Sequence, residues 1–126
     1  MNRLYSVEHY MRVMKKARDM MPGAGLSTDI ISSFPSETEE EHKMTLDVIR
    51  EVRYDSAYTF TYSRRENTKA YRMPDDISDE TKKRRLEEII DLQRKITYEI
   101  HSELIGKEME VLVESLSRKS DEQYMG

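Results

Sequence analysis

The stretch STDIISSFPSETEEEH, residues 27–42, decides the fold. Its first half is β-rich, and Ile30 and Ile31 sit at the centre of a strand expected over residues 26–34. Pro35 breaks that run, and an acidic cluster follows it. Ser36 and Glu39 have the spacing of a capping box, and the carboxylates of residues 37–41 suit the positive end of a helix. A strand that turns directly into a helix is the unit of an α/β protein. Such folds usually place ligands at that junction.

The flanking chain fits the same plan. Upstream, Ser6 is placed to cap a helix from Val7 to about Met20. Its apolar positions Val7, Tyr10, Met11, Met14, Ala17 and Met21 repeat at helical spacing, and Pro22-Gly23 ends it. Downstream, Met44, Leu46, Val48, Ile49 and Val52 make the buried stripe of the helix that the junction starts. Residues 55–62 then alternate Tyr58, Phe60 and Tyr62 against Ala57, Thr59 and Thr61, the period of a strand. A polar loop is expected over residues 64–74. A long helix follows from Ser78 to about Leu104, with Leu86, Ile89, Ile90, Ile96, Ile100 and Leu104 on one stripe. Beyond Gly106, residues 108–115 read as a third strand with Met109, Val111 and Val113 on one face. The order is therefore αβαβαβ. Two strands joined by a helix require a parallel pair. A sheet needs more strands and cover on its faces, so a piece of something larger is expected.

Composition narrows the function. The 126 residues suffice for one domain, and charged and hydrophobic residues each make up 37%. A net charge of −4 gives no general attraction to nucleic acid, although a local basic patch would. The chain has no cysteine, which excludes disulfides, thiolate metal sites and a cysteine nucleophile within it. No run reaches the roughly 18 apolar residues of a membrane span, and the first ten residues lack the apolar core of a signal peptide. A cytoplasmic protein without a membrane partner is expected. His9, His42 and His101 lack metal-ligand spacing.

Four ordered segments carry a resemblance: MNRLYS, STDIISSFPSETEEEH, YDSAYTFTYSRRENTKA and IGKEMEVLVESLSRKSDEQYMG. Together they resemble the radical S-adenosylmethionine methylthiotransferases of the MiaB-like tRNA type, over essentially the whole chain. The resemblance implies an α/β fold, with residues 1–104 as the C-terminal part of a partial parallel (β/α) barrel. Residues 105–126 would be the truncated start of a small β-barrel RNA-binding (TRAM) domain. It also implies methylthiolation of N6-isopentenyladenosine next to the anticodon of tRNA. The cofactors would be S-adenosylmethionine and two 4Fe–4S clusters. Iron–sulfur clusters need thiolates, so both clusters would lie in other parts of the parent, and the chain alone is expected to be inactive. No catalytic or metal-ligating residue is expected in it.

The resemblance also implies site residues. The family's first strand ends TDIIxGFPGE, at the barrel lip where S-adenosylmethionine lies, which points to Thr28, Asp29 and Ser33. Asp29 alternatively holds a neighbouring loop. The second strand ends YSxRPGT in the family and YSRRENT here, which points to Tyr62, Ser63 and Arg65. An aromatic ring can flank adenine, and a guanidinium can grip a carboxylate. Glu37 is read as a first-turn acid favoured by the helix dipole rather than as a ligand. Ser33, Ser36 and Arg53 stand where the family carries glycine, and Glu66-Asn67 replaces Pro-Gly. Serine is strained if those turns need positive φ, and Asn67 tolerates it. No role follows for Arg53, Arg3 or Tyr5. Arg118 and Lys119 in the tail are candidates for tRNA phosphate. Competing readings are a methylthiotransferase acting on another tRNA adenosine or on a ribosomal protein, and a non-catalytic module. The module would form a homo-oligomer through an exposed apolar helix face along Leu86, Ile89, Ile96 and Ile100.

Overall fold

The computed structural model describes residues 4–125, so Arg3 lies outside the described residues. Helix α1 spans Val7–Met20 and strand β1 Ser27–Ser32; helix α2 spans Glu39–Val52 and strand β2 Ser56–Thr61. Helix α3 spans Asp79–Ser102, and strands β3 (Ser115–Ser117) and β4 (Ser120–Met125) close the order. Ser6 caps α1 through its side chain, which accepts from the His9 amide, and Ser78 caps α3 by accepting from Thr81. The Ser6 cap is the one the sequence predicts, and α3 begins where the sequence puts it.

β1 and β2 pair in parallel, with Thr28 beside Ala57, Asp29 beside Tyr58 and Ile31 beside Phe60. Helix α2 is the crossover between them. The core lies where α2 and α3 meet on one face of this pair. It is built from Leu46, Ile49, Val52, Tyr54, Ile89 and Ile96, with Ile30, Val48, Leu92 and Ile100 packed around it. α3 also satisfies the backbone at the entry to β2. The Gln93 amide donates to the Tyr54 carbonyl at 2.7 Å, and the Thr97 hydroxyl donates to the Asp55 carbonyl at 2.9 Å. A second tie comes from α1, whose Tyr10 hydroxyl meets that of Tyr54 at 2.5 Å. Burial, and then this contact, raise the Tyr54 pKa.

Three sequence expectations change. The capping box at α2 uses Thr38 and Glu41, not Ser36 and Glu39. Ser36 sits outside the helix at φ 66°, where Asp76 takes both its amide and its hydroxyl. Residues 108–114 form no strand. Among the described residues their one cross-strand backbone bond is the Glu114 amide donating to the Met125 carbonyl at 2.9 Å, and Met109, Val111 and Val113 are exposed. The pairing instead begins at Ser115, in an antiparallel hairpin of β3 with β4, so the last strand does have a partner. The apolar stripe of α3 is not an open face either. Ile89 and Ile96 are core residues, with Leu86 and Ile100 half-buried beside them. Dimerisation through that stripe is thereby removed. The loop of residues 64–74 also holds one 3-10 turn, Lys69–Arg72.

The described non-glycine residues at positive φ are Ser33, Ser36, Arg53 and Asn67. All four stand where the resembled family carries glycine. A side chain there costs roughly 1–2 kcal/mol for an ordinary L-residue. Arg53 is the informative case because it lies far from the strand ends. It is the left-handed C-cap of α2 at φ 51°, with its carbonyl accepting from Arg18 at 2.7 Å and its guanidinium on Glu99 at 2.9 Å. Since exposed ion pairs contribute little, Arg53→Gly is expected to stabilise the chain by about 0.5–1 kcal/mol. The measurement is the urea midpoint, and an unchanged or lower midpoint would show that the Glu99 pair outweighs the strain.

Candidate ligand site at the strand ends

β1 and β2 end together, and the chain leaves both ends through turns that order one another. The face of the strand pair opposite the helices is open. Asp29 and Ile31 point to it from β1, and Tyr58 (66% exposed) and Phe60 (53%) from β2. This is the main uncovered apolar surface on the strand pair, and Asp29 puts a carboxylate beside two aromatic rings. Thr28 belongs to the other face, where it is half-buried. The sequence pair Thr28-Asp29 is therefore split across the sheet, as the strand period requires.

The β1–α2 turn is clamped by a network of charges. Ser33 is buried at φ 61°, and its amide donates to the Glu37 carboxylate at 2.7 Å. Arg85 of α3, itself 5% exposed, donates from Nη1 to the Glu37 carbonyl at 3.0 Å and to the carboxylate at 3.1 Å. Its Nη2 reaches Glu39 at 3.1 Å, and Arg84 reaches the same carboxylate at 2.8 Å. Arg84 continues to Glu88 at 2.6 Å, and the other oxygen of Glu88 accepts from His42 Nε2 at 2.8 Å. His42 is buried, and its Nδ1 has no partner among the described residues. Glu37 therefore acts before the helix rather than in its first turn. It satisfies an amide that the left-handed turn would otherwise leave unpaired. Sequence reading missed this role, and the positive φ at Ser33 was the one available signal.

The network predicts an acid dependence. Hydrogen bonds from Arg84 and then Arg85 hold the Glu39 carboxyl down at about 2, from an ordinary 4.5. Glu88 is also held low, chiefly by the His42 hydrogen bond and then by Arg84. A carboxylate depressed in the folded state contributes stability above its unfolded pKa and loses it as pH falls through the folded one. Stability is thus expected to decline between about pH 4.5 and pH 2. Urea titrations at stepped pH read it, and Glu39→Gln should flatten the decline. An equally steep curve in that variant would assign the effect elsewhere.

At the end of β2, the Tyr62 amide donates to the Ser32 carbonyl at 2.8 Å, which carries the pairing one residue past β2. Its ring packs edge-on against Phe34 at 5.0 Å. The Tyr62 hydroxyl is buried and has no hydrogen-bond partner among the described residues. Ser63 and Arg65 follow, both exposed. The structure thus brings Ser33, Tyr62, Ser63 and Arg65 to one end of the strand pair, with Asp29 on its open face. Arg118 and Lys119 are apart from this group, at the two-residue tip of the β3–β4 hairpin, and both are exposed. No helix among the described residues is long and apolar enough to cross a membrane, and these residues contain no cluster of three potential metal-binding side chains.

No family model matches the chain. Curated relatives do. The tRNA-2-methylthio-N(6)-dimethylallyladenosine synthase of Thermoanaerobacter sp. (strain X514) is 49% identical over 94% of this chain. The proteins of the same name from Chlorobium limicola and Alkaliphilus oremlandii are 50% and 45% identical over 100% of it. The chain is MiaB-like. It spans 25% to 29% of the length of these relatives.

Proposed function

We propose that the chain is part of a tRNA methylthiotransferase and supplies one wall of its S-adenosylmethionine site. The parent would act on N6-dimethylallyladenosine, the nucleoside in the relatives' name. One observation carries the reading: 45–50% identity over nearly the whole chain to synthases of that single name. The arrangement at the strand ends agrees with it. An open face with Asp29, Tyr58 and Phe60 is the inward face of a parallel barrel whose helices lie outside. Residues 1–104 then form the C-terminal part of that barrel, and residues 105–126 the start of the TRAM domain.

The fit of S-adenosylmethionine rests on chemistry already present. The Tyr62 hydroxyl is buried and unpartnered among the described residues, so a ligand group that bonds it offsets a desolvation cost. Asp29 is a free acceptor for ribose hydroxyls or an ammonium, and Arg65 and Ser63 are donors for a carboxylate. Ser33 serves the wall from behind through the clamped turn, and Thr28 does so from the half-buried face of β1. When bound, the cofactor supplies the methyl group and the sulfonium from which radical chemistry starts. Iron–sulfur clusters do not fit this chain, since it has no cysteine. They belong to the rest of the parent, as does catalysis.

The test is a chimera in which this chain replaces the matching quarter of the Thermoanaerobacter synthase. The expected product is 2-methylthio-N6-dimethylallyladenosine in tRNA, read by mass spectrometry of nucleosides. In that chimera Asp29→Ala should raise the KM for S-adenosylmethionine roughly tenfold or more, the worth of a lost hydrogen bond to a charged group. A folded, cluster-loaded chimera without product would overturn the assignment. An unchanged KM would remove Asp29 from the site.

A further inference from the structure

The loop that leaves β2 carries more cations than the cofactor reading uses. Between Tyr62 and Arg72 it holds four cations, Arg64, Arg65, Lys69 and Arg72, against the single Glu66, in a chain of net charge −4. All four cations are exposed, and none forms an ion pair among the described residues. The neighbouring carboxylates are already engaged. Asp75 pairs with Lys82 at 2.8 Å, and Asp76 binds the Ser36 amide at 2.8 Å. The charge of the loop is therefore left facing solvent.

The loop is also built rather than slack. Asn67 turns it at φ 64°, and the Thr68 hydroxyl donates to the Arg65 carbonyl at 2.7 Å while accepting from the Tyr71 amide at 3.2 Å. Arg64 donates to the Tyr71 carbonyl, and its guanidinium lies 4.9 Å from the centre of the Tyr71 ring. Glu66, Asn67, Thr68, Lys69, Tyr71 and Arg72 line an open cavity of about 650 Å³. That is ample for one nucleotide, since small-molecule sites run from roughly 300 to 1,000 Å³. Tyr71 remains 41% exposed. Unpaired cations beside an aromatic ring on an ordered loop are the elements of a single-stranded nucleic-acid contact.

We propose that Lys69, Arg72 and Tyr71 form an RNA contact at the mouth of the site, with the two cations on phosphates and the ring against one base. The occupant is the single-stranded loop of the RNA substrate. This deepens the RNA-substrate reading above and rests on it. The hairpin tip Arg118-Lys119 is a separate element, so the two contacts can be removed independently.

The experiment is fluorescence anisotropy of a labelled 17-nucleotide RNA hairpin with the 126-residue chain, between 50 and 200 mM salt. Lys69→Gln with Arg72→Gln is expected to weaken binding at least tenfold and to lower the salt slope by about 1.4, the value for two phosphates on a single strand. Tyr71→Leu should weaken binding fivefold or more with the salt slope unchanged. Lys15→Gln with Lys16→Gln on α1 removes the same charge and should leave affinity within twofold, with circular dichroism confirming the fold of each variant. Equal losses in the loop and α1 variants would overturn the loop contact in favour of diffuse charge. Binding that survives the loop variant but vanishes on Arg118→Gln with Lys119→Gln would overturn the loop while leaving RNA recognition standing. Absence of RNA binding by the unaltered chain would overturn both contacts, without touching the cofactor reading tested by the chimera. Equal binding of the DNA hairpin of the same sequence would overturn the commitment to RNA.

Discussion

Arg85→Ala is expected to destabilise the chain by about 3–5 kcal/mol, the usual cost of removing one partner from a buried ion pair. The reason is what it leaves behind. Arg85 is 5% exposed and serves the Glu37 carbonyl, the Glu37 carboxylate and Glu39 together. Arg84 still reaches Glu39, but no other cation reaches Glu37 among the described residues. The Glu37 side chain is itself only 12% exposed, so an unpaired carboxylate would remain in a poorly solvated turn. That carboxylate also holds the Ser33 amide. The loss therefore reaches the candidate site as well as the fold. Urea unfolding followed by circular dichroism measures it, with Arg85→Lys as the second variant. Lysine keeps the charge but not the fork, so an intermediate loss is expected. A change below 1 kcal/mol in Arg85→Ala would mean that the turn holds itself without α3.

Ile89→Ala should cost about 2–5 kcal/mol, the range for truncating a buried isoleucine. Ile89 is 0% exposed and sits at the centre of a core that counts six buried apolar residues among those described. A core that small has little to relax into the cavity, which favours the upper part of that range. Domains carry only about 5–15 kcal/mol in all, so this one substitution brings the chain close to unfolding at room temperature. Ile89→Val is the control, with an expected cost of about 0.5–1.5 kcal/mol. If both variants cost the same, α3 is not packed as a core helix. The result also bears on assembly, because the same stripe cannot serve as core and as an open dimer face.

Some features were legible in the residues. A β-rich run places β1, period-two alternation places β2, helical spacing places α1 and α3, and Ser6 announces its cap. Each signal is local, and each element needs only its own residues to declare itself. The family resemblance raised left-handed backbone as a condition at Ser33, Ser36 and Asn67, and the structure has it there and at Arg53, where no expectation was attached. What was not legible was choice between equivalent local options. SETEEE contains two capping boxes, Ser36 with Glu39 and Thr38 with Glu41. Ser36 is taken up by Asp76, 40 residues away, and Glu39 by Arg84 and Arg85, which leaves Thr38 and Glu41 to cap the helix. Likewise the alternation of residues 108–114 describes a strand, yet a strand exists only where a partner completes its hydrogen bonds.

The candidate site divides along the same line. Asp29, Ser33, Tyr62, Ser63 and Arg65 were grouped by the family resemblance, which sets both strand ends at one lip. Glu37 was not, because its role depends on Arg85 approaching from α3 and on an amide exposed by the turn. By itself the sequence determined the first five elements from α1 to α3, their order and the parallel pairing of β1 with β2, all of which follow from short-range sterics and side-chain periodicity. Only the tertiary structure decided which cap forms, which apolar face is buried, which cations stay unpaired and which carboxylate clamps the ligand turn. Those outcomes are settled by contacts between residues far apart in the chain, where burial and charge pairing outweigh local preference.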